Sequence, residues 1–278
     1  MVERAAVNGT ELAYELHGAG RPLLTMHGGL GLDHTYFRPW LDPLGDAAQI
    51  IYYDHRGHGR SQRPATLDAV GHDTWASDAE ELRAHLGHER IVLFGHSYGG
   101  YLAQDYALRF GDRLAGLILC STGPAFDYAP VVFSNAQARG TAEQLAVLQS
   151  AMTTTVDDEG FRRAWMSILP LYFKRFDPEL AMAMDRNTRY SGAAFCRGMQ
   201  HCLPAFNTIA KLGDIKCPTL ILTGADDWIA PPVEGAERLK AGITNAELTI
   251  FENSGHFPFI EEAERFQSVV REWLLKLA

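Results

Sequence analysis

Gly95-His96-Ser97-Tyr98-Gly99 stands where a buried strand stops and a helix starts, and no other stretch constrains this chain so tightly. Residues 90–94 (Arg-Ile-Val-Leu-Phe) are short, β-branched and apolar on both faces, the pattern of a strand inside a parallel sheet. From Gly100 onward the chain has helix-forming composition and one apolar face. A G-x-S-x-G between two such elements is a nucleophile elbow. Its glycines permit a turn too tight for a Cβ, and Ser97 is held out at the top of the sheet. The amide of the next residue, Tyr98, then faces the charge that develops on an attacked carbonyl.

A nucleophilic serine needs a base, and the base needs an orienting acid. Residues 218–223 read as a buried strand and are followed by Ala225-Asp226-Asp227. Residues 246–251 alternate like a last strand and are followed by Asn253-Ser254-Gly255-His256. Both candidates sit just past a strand, the side on which open α/β sheets carry their chemistry. His256 is the expected base. Spacing alone leaves both Asp226 and Asp227 open as the acid.

Strands are expected at 2–7, 11–16, 22–26, 49–53, 90–94, 114–120, 218–223 and 246–251, with helices at 74–86, 101–110, 233–240 and 262–277. The fold class is therefore α/β: a mostly parallel eight-stranded sheet flanked by helices. One interruption falls after the sixth strand. Residues 125–206 lack β-branched runs, read as helices and are rich in aromatic residues and Met. They are expected to form a helical cap on a core of residues 1–124 and 207–278.

The 278 residues carry a formal net charge of −9, which argues against nucleic acid or an anionic membrane surface as partner. No apolar run is long enough to span a bilayer, and Met1-Val2-Glu3-Arg4 does not open a signal peptide, so a cytoplasmic enzyme with a small-molecule substrate is expected. Cys120, Cys196, Cys202 and Cys217 show no metal-ligand spacing and suit reduced thiols. His55 and His58 have no further ligand at metal spacing, and the glycine-rich run around them is neither a P-loop nor a dinucleotide fingerprint. No metal and no cofactor is expected. Asp54 and Arg56 are read as holding a tight loop that buttresses the elbow, and His96 as a packing residue.

On the elbow, the ordered Ser…Asp…His candidates and the His27-Gly28-Gly29-Leu30-Gly31 loop after an early strand, the chain resembles the α/β-hydrolase superfamily over nearly its whole length. That resemblance implies the acid at the fourth position of a G-x-x-D pattern, here Gly224-Ala225-Asp226-Asp227, and so Asp227. It also implies Gly29 N–H as the second oxyanion donor, with Leu30 as a substitute, and a structural role for His27. Within the superfamily, His-Gly-Gly-x-Gly at 27–31 and Tyr-Asp-x-Arg-Gly-x-Gly-x-Ser at 53–61 resemble the proline iminopeptidase branch. The chain departs from that branch at Leu30, where proline is usual, and at Tyr98, where tryptophan is common.

Two activities compete. An aminopeptidase needs a carboxylate for the substrate's ammonium group, and Glu143, Asp157, Asp158, Glu159, Asp177, Glu179 and Asp185 are the cap's candidates. A carboxylesterase needs only the triad, the oxyanion hole and an apolar pocket. Leu30, Trp165, Leu169, Tyr172 and Phe173 are the expected pocket residues, the last three presented by the break at Pro170. Lactone opening or C–C cleavage would use the same machinery, whereas dehalogenase and epoxide hydrolase relatives carry aspartate where Ser97 stands. A ligand receptor or lyase on the same fold is the non-hydrolytic alternative.

Overall fold

The computed structural model describes residues 1–151 and 153–277. Its eight strands are β1 (Glu3–Val7), β2 (Thr10–His17), β3 (Arg21–Met26), β4 (Ala48–Tyr53), β5 (Ile91–His96), β6 (Leu114–Cys120), β7 (Thr219–Gly224) and β8 (Ala246–Phe251). They form one sheet in the order β1-β2-β4-β3-β5-β6-β7-β8. β2 runs antiparallel to both of its neighbours, and every pair from β4–β3 to β7–β8 is parallel. The expected α/β architecture is the observed one.

Strand alternation explains why the central strands are apolar throughout. Leu23, Ile50, Tyr52, Val92, Phe94, Ile118, Leu220 and Leu222 pack into a core on one face. Leu24, Ile51, Tyr53, Ile91, Leu93, Leu117, Leu119 and Ile221 pack into the other. A strand buried on both faces has no reason to alternate polar with apolar residues. Helices α1 (His72–His85) and α2 (Tyr98–Phe110) cover the second face, through Trp75, Ala79 and Leu82 and through Leu102, Ala103 and Tyr106.

Between β6 and β7 the chain leaves the sheet and forms α3 (Ala129–Arg139), α4 (Ala142–Ala151), α5 (Asp158–Ile168), α6 (Pro178–Asn187) and α7 (Gly192–Cys196). Asp157, Asp177 and Ser191 start three of these helices by accepting hydrogen bonds from first-turn amides, which would otherwise lack partners. The two ends of the excursion meet where Ala125 bridges Asn207. After β7 come α8 (Ala236–Gly242), the short α9 (Pro258–Glu261) and α10 (Ala263–Lys276). The last packs Phe266, Val270 and Trp273 into the first core.

Two boundaries differ from expectation in a way that matters. β5 runs two residues further, to His96, and α2 begins three residues earlier, at Tyr98. The whole reversal from strand to helix is therefore made at Ser97. Among the described residues, no helix is long and apolar enough to cross a membrane.

Candidate active site

Ser97 carries the reversal at φ 55° and ψ −121°, a conformation that side-chain-bearing residues rarely adopt. Its N–H donates to Cys120 O on β6 at 2.9 Å, and its carbonyl accepts from Gly100 N at the same distance. The glycines of the motif are required by close approach. A Cβ on Gly95 would lie 2.5 Å from Gly99 O and 2.7 Å from Ala103 Cβ, and one on Gly99 would meet Met26 O. α2 thus starts directly against β3 and β5. Its N-terminus points at Ser97 and favours negative charge there.

Asp227 lies in the loop after β7 and His256 in the loop after β8. The two loops are pressed together at Gly224, where a Cβ would meet the backbone of Ser254 and Gly255. His256 Nδ1 is 2.8 Å from Asp227 Oδ2, and both side chains are buried. Asp227 Oδ1 accepts from the amides of Ile229 (3.1 Å) and Ala230 (3.0 Å), which fixes the carboxylate plane. Asp226 points elsewhere, half-exposed and paired with Arg139 at 3.3 Å. Nδ1 of His256 therefore holds the proton and Nε2 offers its lone pair. Nε2 is buried without a hydrogen-bond partner, and His256 and Ser97 line the same cavity.

The loop after β3 closes the third side. Gly29 (φ 54°) and Gly31 (φ 96°) both occupy left-handed conformations. Gly28 rests on the elbow, since a Cβ there would lie 2.7 Å from both His96 O and Ser97 Cβ. Its N–H is already used, donating to Tyr36 Oη at 2.6 Å. The helical excursion lies on this loop: Gly31 O accepts from Ser191 N at 2.8 Å. A Cβ on Gly31 would lie 2.6 Å from the Phe161 ring, and one on Gly198 would run into Leu30.

Behind the loop sits a set of buried histidines with opposite electrostatics. Burial works against a charge on His34, but Asp54, 2.6 Å from Nδ1, overcomes it and holds the imidazolium up to about 9. Burial depresses His55 to about 3 and His58 to about 4, and pushes His27 well below its usual value, so these three are neutral. His27 Nδ1 donates to Gly28 O at 3.2 Å and its Nε2 accepts from the amide of His55, which holds the loop's shape. Among the described residues, no His, Cys, Asp and Glu cluster could hold a metal ion. Asp54 and Arg56 divide their work. Asp54 ties His34 to the Arg60 amide, while Arg56 reaches away from the elbow to Asp78 on α1.

The cavity above Ser97 has a volume of about 350 Å³. Leu30, Trp165 and Tyr172 line it, together with Tyr101, Phe133 and Trp228. Leu169 and Phe173 are not among its described lining residues. Leu169 is fully buried in the core, and Phe173 packs on Phe176 and Phe257, because the turn at Pro170 presents only Tyr172 to the cavity. Apart from His96 and His256, the described lining contains no ionisable acid or base stronger than tyrosine. Tyr36 and His96 also reach the cavity. Both are buried polar residues, and His96 meets Tyr36 and His256 only across 60 and 160 residues, so the elbow pattern that contains His96 does not show these contacts.

The family model for the alpha/beta hydrolase fold matches residues 21–263. The chain belongs to that family. It is 30% identical over 287 aligned positions to proline iminopeptidase PfmaB of Pestalotiopsis fici, covering 99% of this chain and 100% of that one. A thermophilic esterase from Thermogutta terrifontis is 28% identical with a TM-score of 0.76, covering 100% of this chain and 99% of that one. An esterase from Exiguobacterium antarcticum shares the fold at a TM-score of 0.83 and 24% identity, covering 99% and 100% of the two chains.

Proposed function

We propose that this chain is a serine carboxylesterase that cleaves small esters with a neutral, apolar acyl or alcohol group. It is a hydrolase acting on ester or peptide bonds, and the cavity lining supports the ester reading. In this reading His256 Nε2 takes the proton of Ser97 as Oγ attacks the carbonyl, and Asp227 stabilises the imidazolium. The amides of Gly29 and Tyr98 receive the oxyanion, and α2 adds its positive end. His256 then protonates the departing alcohol, and water releases the acyl group by the same steps in reverse order. Residues 125–206 act as the cap that supplies the apolar walls. The four cysteines are free thiols, in keeping with a reducing, cytoplasmic setting.

The observation that carries this reading is the absence of any carboxylate from the described cavity lining. A substrate with a free N-terminal amine would bring a cation into a buried apolar site, and an unpaired buried charge is strongly disfavoured. The cap carboxylates are occupied or outside. Asp158 pairs with Arg63, and Glu159 and Asp185 pair with Arg162. Asp157 and Asp177 cap helices, and Glu143 and Glu179 are exposed. Proline iminopeptidase activity is the second reading, supported by the 30% identity to PfmaB.

The test is a side-by-side assay of a p-nitrophenyl butyrate and a prolyl p-nitroanilide with free amine, on wild type and Ser97→Ala. Ester turnover lost in Ser97→Ala, with the anilide untouched, is the expected result. Efficient anilide cleavage that disappears when the amine is blocked would replace the esterase reading with the peptidase one.

A further inference from the structure

The three loops that meet at the cavity are joined by one line of hydrogen bonds in which neither Ser97 nor Asp227 takes part. The Gly28 amide donates to Tyr36 Oη at 2.6 Å. Tyr36 Oη lies 2.9 Å from His96 Nδ1, and His96 Nε2 lies 2.9 Å from the carbonyl oxygen of His256. Only one arrangement of protons satisfies all three contacts. A carbonyl can only accept, so His96 Nε2 carries the proton and donates to His256 O. Nδ1 is then the lone-pair nitrogen, so Tyr36 donates its hydroxyl proton to it and accepts from Gly28 with an oxygen lone pair. The line has a direction, from the oxyanion loop through Tyr36 and His96 to the loop of the base.

We propose that Tyr36 and His96 are a positioning pair that sets the oxyanion loop and His256 at a fixed distance from Ser97 during turnover. The proposal rests on the serine-hydrolase reading of Ser97 and His256. His96 adjoins Ser97 in the elbow, so the middle of the line is anchored to the nucleophile's own backbone. Gly28 adjoins Gly29, the proposed oxyanion donor. The third anchor is the backbone of His256, whose amide is held from the other side by Tyr172 O at 2.7 Å. Each of the three moving parts of an acyl transfer is thereby referenced to the other two.

Packing makes the pair stiff. Tyr36 and His96 are 3% and 1% exposed. The rings of Phe37, Phe257 and Phe259 enclose them, with centroids 4.5 to 6.2 Å away. Burial, followed by the neighbouring His256, pushes His96 well below its usual range and keeps it neutral. Burial also keeps Tyr36 a phenol, well above its usual range. Neutrality matters because the His96 and His256 rings are 4.9 Å apart. When His256 takes the serine proton, a neutral neighbour leaves that charge to Asp227.

Three variants test the pair. Tyr36→Phe keeps the ring and deletes the hydroxyl. His96→Leu deletes both nitrogens. His96→Gln restores one acceptor and one donor on a side chain of similar reach. Each is titrated with a fluorophosphonate that labels the nucleophile, so that kcat is expressed per labelled site. The expected result is a fall of about tenfold or more in kcat per labelled site for Tyr36→Phe and His96→Leu, with KM within about twofold and partial recovery in His96→Gln. If His96→Leu does not fold, Tyr36→Phe decides alone. Variants whose kcat per labelled site matches wild type, with only fewer sites or a lower melting temperature, would reduce the pair to ordinary packing and overturn the proposal. A wild type that the probe does not label at Ser97 overturns the serine-hydrolase reading first, before any variant is compared.

Discussion

Replacing Asp227 with asparagine removes one charge and reverses one hydrogen bond while preserving the shape of the loop. The carbonyl of the new amide can keep the Ile229 and Ala230 donors at 3.1 and 3.0 Å, so no buried backbone amide is orphaned. Its NH2 group then faces His256 Nδ1 across 2.8 Å. Two donors cannot share that contact, so the imidazole moves its proton to Nε2. In the proposed mechanism that nitrogen takes the proton of Ser97, and in this tautomer it has no lone pair to offer. The expected loss in kcat is about 10⁴, or about 5 kcal/mol of barrier, with little loss of fold stability. Asp226→Asn is the matched control. Its half-exposed pairing with Arg139 is worth at most about 1 kcal/mol, and its kcat should stay within about twofold of wild type. Steady-state ester hydrolysis normalised by active-site titration measures both. Retention of a tenth of wild-type kcat by Asp227→Asn, or an equal loss in Asp226→Asn, would refute the assignment of the acid.

Stability should fall on both sides of neutrality, for separable reasons. His34 is raised from 6.5 to about 9, so its contribution, on the order of 3 kcal/mol, is complete below pH 6.5 and is lost as pH rises through about 9. His55 and His58 are depressed to about 3 and 4, so below pH 6.5 the unfolded chain takes up their protons first and stability drops toward acid. Melting temperatures from pH 5 to 10 should therefore peak near neutrality, and His34→Gln should flatten the alkaline limb alone. An unchanged alkaline slope in His34→Gln would contradict the buried ion pair. Gly31→Ala should destabilise by about 1–3 kcal/mol, because φ 96° is strained for alanine and its methyl would lie 2.6 Å from Phe161 and 2.7 Å from Ser191 O. Thermal melts of that variant give the value directly, and an unshifted melt would mean that the excursion yields freely.

Much of this molecule is legible without coordinates, and the reasons are local. β5 and β7 announce themselves because strands buried on both faces are short apolar runs, and the elbow because two glycines must flank one residue. The order of Ser97, Asp227 and His256 along the chain follows from strands that all deliver their C-terminal ends to one edge. What stays hidden is relational. Asp226 and Asp227 are chemically identical, so only the family's G-x-x-D pattern chooses Asp227, and it is the loop after β7 that turns it toward His256. The run from 168 to 173 is uniformly apolar, so its composition cannot say that Tyr172 faces the cavity while Leu169 and Phe173 face inward. Tyr36 and His96 lie 60 residues apart and His256 another 160 beyond, so no window along the chain contains their contacts.

The seam between the helical excursion and the glycine loop has a consequence for exchanging parts between relatives. Gly31 O receives the Ser191 amide, Leu30 fills the space that Gly198 leaves open, and Phe161 lies against Gly31. On the proposed reading, substrate preference and carbonyl activation are therefore not separable modules in this chain. An excursion grafted from a relative would arrive without the matching bumps and hollows, and it would shift the loop amides along with the pocket walls. Transplants that carry residues 27–34 together with the helices preserve the seam. Chimeras cut at the sheet alone should bind new substrates yet turn them over slowly.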